Sequence, residues 1–286
     1  MHEIQRTQAS MIAHKHILVY NDIGVAATEV KKALVESFYG AAVSDTNRLL
    51  IKQDGALTEE TLALVLPGII GDNSPYNDQL DFETHKAIRD YVENGGVYVG
   101  ICAGAYYASN RITYHPPWMS QEKTRKPGLD LFNGAAKGPI SFLAKQSVEE
   151  GPNDCMVTAI SFNTASGARK VTGTAYGNGP MYFPDDSADL EVIARYEDVP
   201  GKPIAIAACK VGKGLALFVG VLPYMQPVKD MPLTHATKDA YKFNESLKPH
   251  AEGTKEVWDS ITERIKEHNA SIGRVRRLPK SDRSPS

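Results

Sequence analysis

The sequence predicts an α/β fold with a mostly parallel sheet that carries antiparallel additions. Two features carry this. In the first 110 residues, short branched apolar runs alternate with segments of helical periodicity, which implies right-handed crossovers and parallel strands. Beyond about Asp130 the pattern breaks into shorter strand-like runs closed by Gly, Pro, Asn or Asp, which suits antiparallel pairing. At 286 residues, one main domain with an appended smaller element is expected.

After a polar N-terminal arm, "HILVYND" (16–22) reads as a buried strand, and "AATEVKKALVESFYG" as a helix stopped by Gly40. "NRLLIKQD" and "LALVLPGIIGD" read as the next two strands. "FETHKAIRDYVENGG" is a helix ending in paired glycines before the strand "VYVGIC", and "AYYASNR" after it is helix-like. Further on, "KVGKG" marks a hairpin turn, "GTKEVWDSITERIKEHN" (253–269) has helical periodicity, and "GRVRRLPKSDRSPS" is a polar basic tail.

The formal charge of −2, with 23% charged and 42% hydrophobic residues, gives no electrostatic case for nucleic acid. No apolar run approaches membrane-spanning length and the N-terminus lacks a secretory core, so a cytoplasmic protein without a membrane partner is expected. Cys102, Cys155 and Cys209 lack zinc-like spacing, and an odd count argues against a disulfide framework. No metal or cofactor is expected. A small-molecule ligand or substrate is, with a partner protein as a further option.

The segment "GGVYVGICAGAYYAS" (95–109) carries the chemistry. A strand that runs into Gly100-Ile101-Cys102-Ala103-Gly104 and then a helix has the layout of a nucleophile elbow. A cysteine at a helix N-terminus feels the positive end of the dipole, which favours thiolate, and the Ala103 N–H is placed to stabilise an oxyanion. The alternative is a small buried residue beside a packing turn.

"ILVYND", "LVLPG", "SPYNDQL", "YVENGGVYVGICAGAYYAS", "LDLFNGAAKGP", "YGNGPMYF" and "CKVGKGLALFVGVLPY" occur in an order that resembles the glutamine-amidotransferase-like domain at the N-terminus of eukaryotic biotin-protein ligases. The resemblance covers about residues 16–225. It implies a flavodoxin-like three-layer sandwich of the class I glutamine amidotransferase type over 1–252, with 253–286 as a C-terminal helix and tail. No biotinyl-adenylate loop is present, and biotin ligation is not expected. In active relatives an elbow cysteine attacks an amide, activated by a histidine and a glutamate from a late "HPE" motif. Cys102 matches the nucleophile, but the late motif reads Gly220-Val221-Leu222-Pro223-Tyr224, and leucine neither accepts a proton nor bonds a thiol. Glutaminase activity by the standard route is therefore not expected.

Substitute groups are His115 in the loop "HPP", Asp22 at the end of the first strand, and His235 in "PLTHATKD". Each also reads as an ordinary loop, turn or surface residue, and His85 as a helix-face residue. Gly68 and the Ile69 N–H, after Pro67, are candidates for an oxyanion site, with Gly104 on the turn. Tyr76, Tyr106, Tyr107 and Tyr182 are candidates for pocket walls, and Asn178 with Gly179 for its rim; packing or a simple turn accounts for them equally well. Three functions remain open: a cysteine-dependent hydrolase of a small amide or ester, a non-catalytic metabolite-binding or regulatory module, and a redox-responsive thiol.

Overall fold

The structure is a computed structural model that describes residues 15–53, 56–71, 74–125, 128–146, 155–186, 189–229 and 238–274. His235 and residues 275–286 of the basic tail lie outside the described residues.

The strand and helix alternation takes the predicted order. Strand β1 (His16–Tyr20) leads to helix α1 (Thr28–Ser37), then strand β2 (Ala42–Thr46), helix α2 (Arg48–Ile51) and strand β3 (Thr61–Leu66). Helices α3 (Pro75–Gln79) and α4 (Phe82–Glu93) precede strand β4 (Val97–Ile101) and helix α5 (Ala103–Ala108). Strands β5 (Ser109–Tyr114), β6 (Lys123–Arg125), β7 (Phe132–Gly138), β8 (Met156–Asn163) and β9 (Arg169–Tyr176) follow. The chain ends with β10 (Met181–Pro184), β11 (Leu190–Tyr196), β12 (Ile204–Val211), β13 (Gly214–Val219), α6 (Lys238–Leu247) and α7 (Ala251–Ser271).

The sheet runs β2-β1-β3-β4-β13-β12-β10-β7-β5-β6, with β11, β8 and β9 branching from β12. The block from β2 to β13 is parallel throughout, and β12 and β13 form the antiparallel hairpin expected at "KVGKG". Every residue of β3 and β4 is buried, which requires cover on both faces of the sheet. The carboxyl ends of β3 and β4 sit side by side in register, with Leu66 paired to Gly100. That adjacency brings the loop after Pro67 against the turn at Cys102.

Two sequence expectations are corrected locally. "NRLLIKQD" is not a strand. The Asn47 side chain accepts from Leu49 N at 3.0 Å and Leu50 N at 3.1 Å, capping α2, and Leu49 and Leu50 are exposed. The strand is the preceding "AVSDT". The helix after Cys102 is also shorter than "AYYASNR" suggests, since Ser109 already begins β5.

The C-terminal helix expected from residue 253 runs over Ala251–Ser271. Helix α7 packs against β3, β9 and β13 and buries Val257, Trp258, Ile261 and Ile265, while Trp258 Nε1 donates to Ser37 Oγ of α1 at 2.9 Å. Burying each such aliphatic side chain contributes roughly 1.5–3 kcal/mol, so together they match the net stability of a whole domain. Residues 251–271 belong to the main core. Among the described residues, no helix is long and apolar enough to cross a membrane.

Glu197, at the end of β11, takes hydrogen bonds from Arg169 of β9 and from Lys202. Lys202, Ser161 and Arg169 hold its carboxyl down at about 2, from an ordinary 4.5. A depressed folded-state pKa gives stability that is present above the unfolded value and lost as pH falls through the folded one. Thermal unfolding from pH 6 to 2 is expected to show wild type losing stability between about pH 4.5 and 2. Glu197→Gln should start less stable and show a flatter loss across that window.

Candidate functional site

The turn between β4 and α5 explains the spacing of "GICAG". A Cβ on Gly100 would stand 2.7 Å from the Gly104 carbonyl oxygen, and one on Gly104 would stand 2.0 Å from that of Leu66. Two glycines four residues apart therefore let the helix start directly on the strands. Tyr98 locks the arrangement by donating its hydroxyl to Gly104 O at 2.7 Å. Between the glycines, Cys102 is driven to φ 49° and ψ −106°, a left-handed conformation that is costly for a residue with a Cβ.

Two backbone N–H groups bear on the expected oxyanion site. The Ala103 N–H is directed at the Cys102 sulfur. Ile69 pairs with Val25 in an antiparallel bridge whose bonds run through its neighbours, Ala26 N to Gly68 O and Ile70 N to Gly24 O. The Ile69 N–H is left outside that ladder, and among the described residues it has no carbonyl acceptor. Gly68 lies against the cysteine, with its Cβ position 3.5 Å from Cys102 Cβ.

What stands at the thiol is a backbone carbonyl. Cys102 Sγ–H donates to Gly177 O at 3.2 Å. The next three carbonyls of the same loop are also taken by buried hydroxyls: Asn178 O by Tyr106 at 3.2 Å, Gly179 O by Tyr176 at 3.0 Å and Pro180 O by Tyr196 at 3.0 Å. Leu222 fixes the loop from behind, its Cδ1 only 3.1 Å from the Cβ position of Gly177 and its N–H on Ala175 O. Tyr224 is buried edge-on against Trp258. Leu222 thus packs the loop that caps the thiol, while Tyr224 packs on Trp258 of α7.

Burial pushes the Cys102 thiol up to about 12, opposed by the Ala103 N–H; among the described residues no histidine or carboxylate contributes. A carbonyl acceptor stabilises S–H rather than S⁻, in the same direction as burial. The helix dipole expected from sequence is weak because α5 has six residues.

Cys102, Ala103 and Ile69 line one pocket that opens to solvent. Tyr106, Tyr107 and Asn178 line it as expected. Asn178 adopts φ 61° and is held by both amide groups to the Lys145 backbone. Tyr76 and Tyr182 do not line the pocket: both are fully buried behind it, with the Tyr76 hydroxyl on Pro67 O at 2.8 Å. Gly179 is packed against Gly220 instead of forming the rim. Sequence reasoning missed Ser74, Asn77, Ile112, Tyr114, Lys123 and Gly177. Of these, Gly177 lies in the quoted segment "YGNGPMYF" and Ser74 and Asn77 in "SPYNDQL"; the others had no sequence signal.

His115 and Asp22 are not brought to the thiol. His115 is exposed at the end of β5 and its Nε2 bonds Met119 O at 3.2 Å. Asp22 caps its own turn, with Oδ1 accepting from Ile23 N at 2.8 Å. His85 does more than cover a helix face, since its Nε2 is bonded to the Tyr107 hydroxyl.

The family model described as "Biotin-protein ligase, N terminal" matches residues 15–271. An uncharacterized protein of Chlamydia muridarum is 30% identical over 247 residues, covering 82% of this chain and 92% of its own. A biotin–protein ligase of Schizosaccharomyces pombe is 28% identical over 166 residues, 57% of this chain but 25% of the ligase. Two solved glutamine amidotransferases share the fold. One, from Thermotoga maritima, has a TM-score of 0.53 at 11% identity, covering 89% of this chain and 99% of its own. The other, from Methylobacillus flagellatus, has a TM-score of 0.52 at 10% identity, covering 95% of this chain and 99% of its own.

Proposed function

The chain belongs to the biotin-protein ligase N-terminal family, and from that premise we propose that it is a small-molecule-binding module whose amidotransferase-like pocket no longer turns over. The observation that carries this reading is the Cys102 thiol donating to Gly177 O, backed by Leu222. A ligand carbonyl oxygen is received by the Ala103 and Ile69 N–H groups, while the neutral thiol remains a wall of the pocket. Lacking a base to take its proton, the thiol does not attack.

A second reading, a cysteine-dependent hydrolase, draws support from the strained backbone of Cys102 and from the same two N–H groups. Mass spectrometry of the intact protein after incubation with p-nitrophenyl acetate or glutamine separates the two. The binding reading expects no acyl group on Cys102. Saturable loading of Cys102 followed by hydrolysis would establish the hydrolase.

Leu222→His gives a companion test. An imidazole there meets Gly177, whose carbonyl holds the thiol, and is expected to accelerate Cys102 alkylation at pH 7.5 by about tenfold or more. An unchanged rate in a folded variant would mean that Leu222 does not occupy the place of a base.

A further inference from the structure

Helix α4 turns His85 toward α5, where Nε2 is hydrogen-bonded to the hydroxyl of pocket-lining Tyr107. The Leu80 backbone acts on the same imidazole in the direction that raises its pKa, which favours a proton on the nitrogen away from Tyr107. With the proton held on the other nitrogen, Nε2 is the lone-pair nitrogen, so the Tyr107 O–H is the donor. Burial lowers the His85 pKa, against Asp81 and the Leu80 backbone, and keeps the ring neutral near pH 7. The Tyr107 hydroxyl is pushed well above its ordinary range, chiefly by burial, and keeps its proton. Tilted contact with Tyr76, at 5.7 Å between ring centroids, fixes the Tyr107 ring in place. A phenol whose proton is committed in this way offers only an acceptor to anything else that reaches its oxygen.

We propose that His85 and Tyr107 form a specificity-determining pair: at neutral pH the pocket prefers an uncharged head group that donates a hydrogen bond beside its carbonyl over an isosteric anionic one. The inference rests on the reading that the pocket binds a small molecule through Ala103 and Ile69. Those N–H groups take the carbonyl oxygen of either head group and do not discriminate. The Tyr107 oxygen does, because it accepts from an N–H but repels a carboxylate oxygen. Ser74 lines the same pocket at the N-cap of α3, yet its hydroxyl caps nothing and is buried without a partner among the described residues. It gives the head group a second polar contact.

Protonation of His85 reverses the pair. Nε2 becomes a donor to the Tyr107 oxygen, the phenol proton is released toward the pocket, and the anionic head group gains. The charged groups around His85 are few. Asp81, on its own helix, is held by Lys52 of α2, which also pairs with Glu83 at 3.4 Å. Arg89, one turn on, is shared by Glu93 and Asp130. From the opposing elements, Tyr107 feels the hydroxyl of Tyr20 of β1, itself donated to Gln79.

Butyramide and butyrate are isosteric probes for this pair, and ligand-observed NMR on the full chain at pH 7.5 and 5.0 reads their affinities. Wild type is expected to favour butyramide by about fivefold at pH 7.5, the value of one hydrogen bond, and to lose that preference as pH falls and His85 is protonated. Tyr107→Phe should bind both probes with a ratio near one at pH 7.5, and His85→Ala should leave only the pH dependence that protonation of butyrate itself imposes. Both probes binding Tyr107→Phe with the wild-type ratio would overturn the pair. If neither probe binds any form, the binding reading itself fails, and ¹⁵N spectra of the His85 ring then decide the pair. A neutral ring with its proton off Nε2, titrating at higher pH in Tyr107→Phe than in wild type, supports it; a proton on Nε2 overturns it.

Discussion

Iodoacetamide at neutral pH is expected to modify Cys102 about 10³-fold more slowly in the folded protein than in the same chain unfolded in urea. Only the thiolate reacts, and burial moves the thiol from an ordinary 9.0 to about 12. Each step of one in pKa changes the thiolate fraction tenfold at a pH well below both values, which sets the factor. The local contacts act the same way: Gly177 O holds the S–H form, and only the Ala103 N–H favours the anion. The folded-state rate should climb tenfold per pH unit without levelling through pH 10. Cys209 is also pushed to about 12 by burial, so the unfolded chain is the proper reference. A folded-state rate within tenfold of the unfolded one would overturn the neutral-thiol assignment and bring the hydrolase reading forward.

The parallel block was legible because its signal is local. "HILVY", "LALVL" and "VYVGI" are apolar runs bounded by turn residues, and each is a strand. "NRLLIKQD" misled because a run of leucine and isoleucine outweighed its capping asparagine, and α2 buries only Ile51. At the site, Cys102 and Leu222 drew notice because both are read directly from residue identity. What caps the thiol was not legible. Gly177 lies 75 positions beyond Cys102, and its carbonyl belongs to the backbone, which no residue type announces. The His85–Tyr107 contact was hidden for a related reason, because it joins two helices 22 positions apart. Helical periodicity states which face of each helix is apolar, not which hydroxyl meets which imidazole.

Gly104→Ala should destabilise the protein by about 3 kcal/mol, at the upper end of what an extra methyl costs in a packed interior. The new Cβ would stand 2.0 Å from Leu66 O and 2.8 Å from Leu66 C, both backbone atoms of a central strand that has no rotamer to change. Relief requires α5 to lift off β3, which breaks the Tyr98 bond to Gly104 O and moves Cys102 away from Gly177. Gly68→Ala is the matched control on the other side of the cysteine. Its Cβ meets Cys102 Cβ at 3.5 Å and Sγ at 3.9 Å, ordinary van der Waals contact, so its cost should stay within about 1 kcal/mol. Urea unfolding of the two variants against wild type reads the difference as a shift in midpoint at constant slope. Equal midpoints would mean that α5 does not sit on the strand as closely as 2.0 Å implies, and that the strained turn at Cys102 is not imposed by this contact. Unequal ones would identify the close approach of Gly104 to Leu66 as the contact that seats α5 on β3 and with it the turn at Cys102.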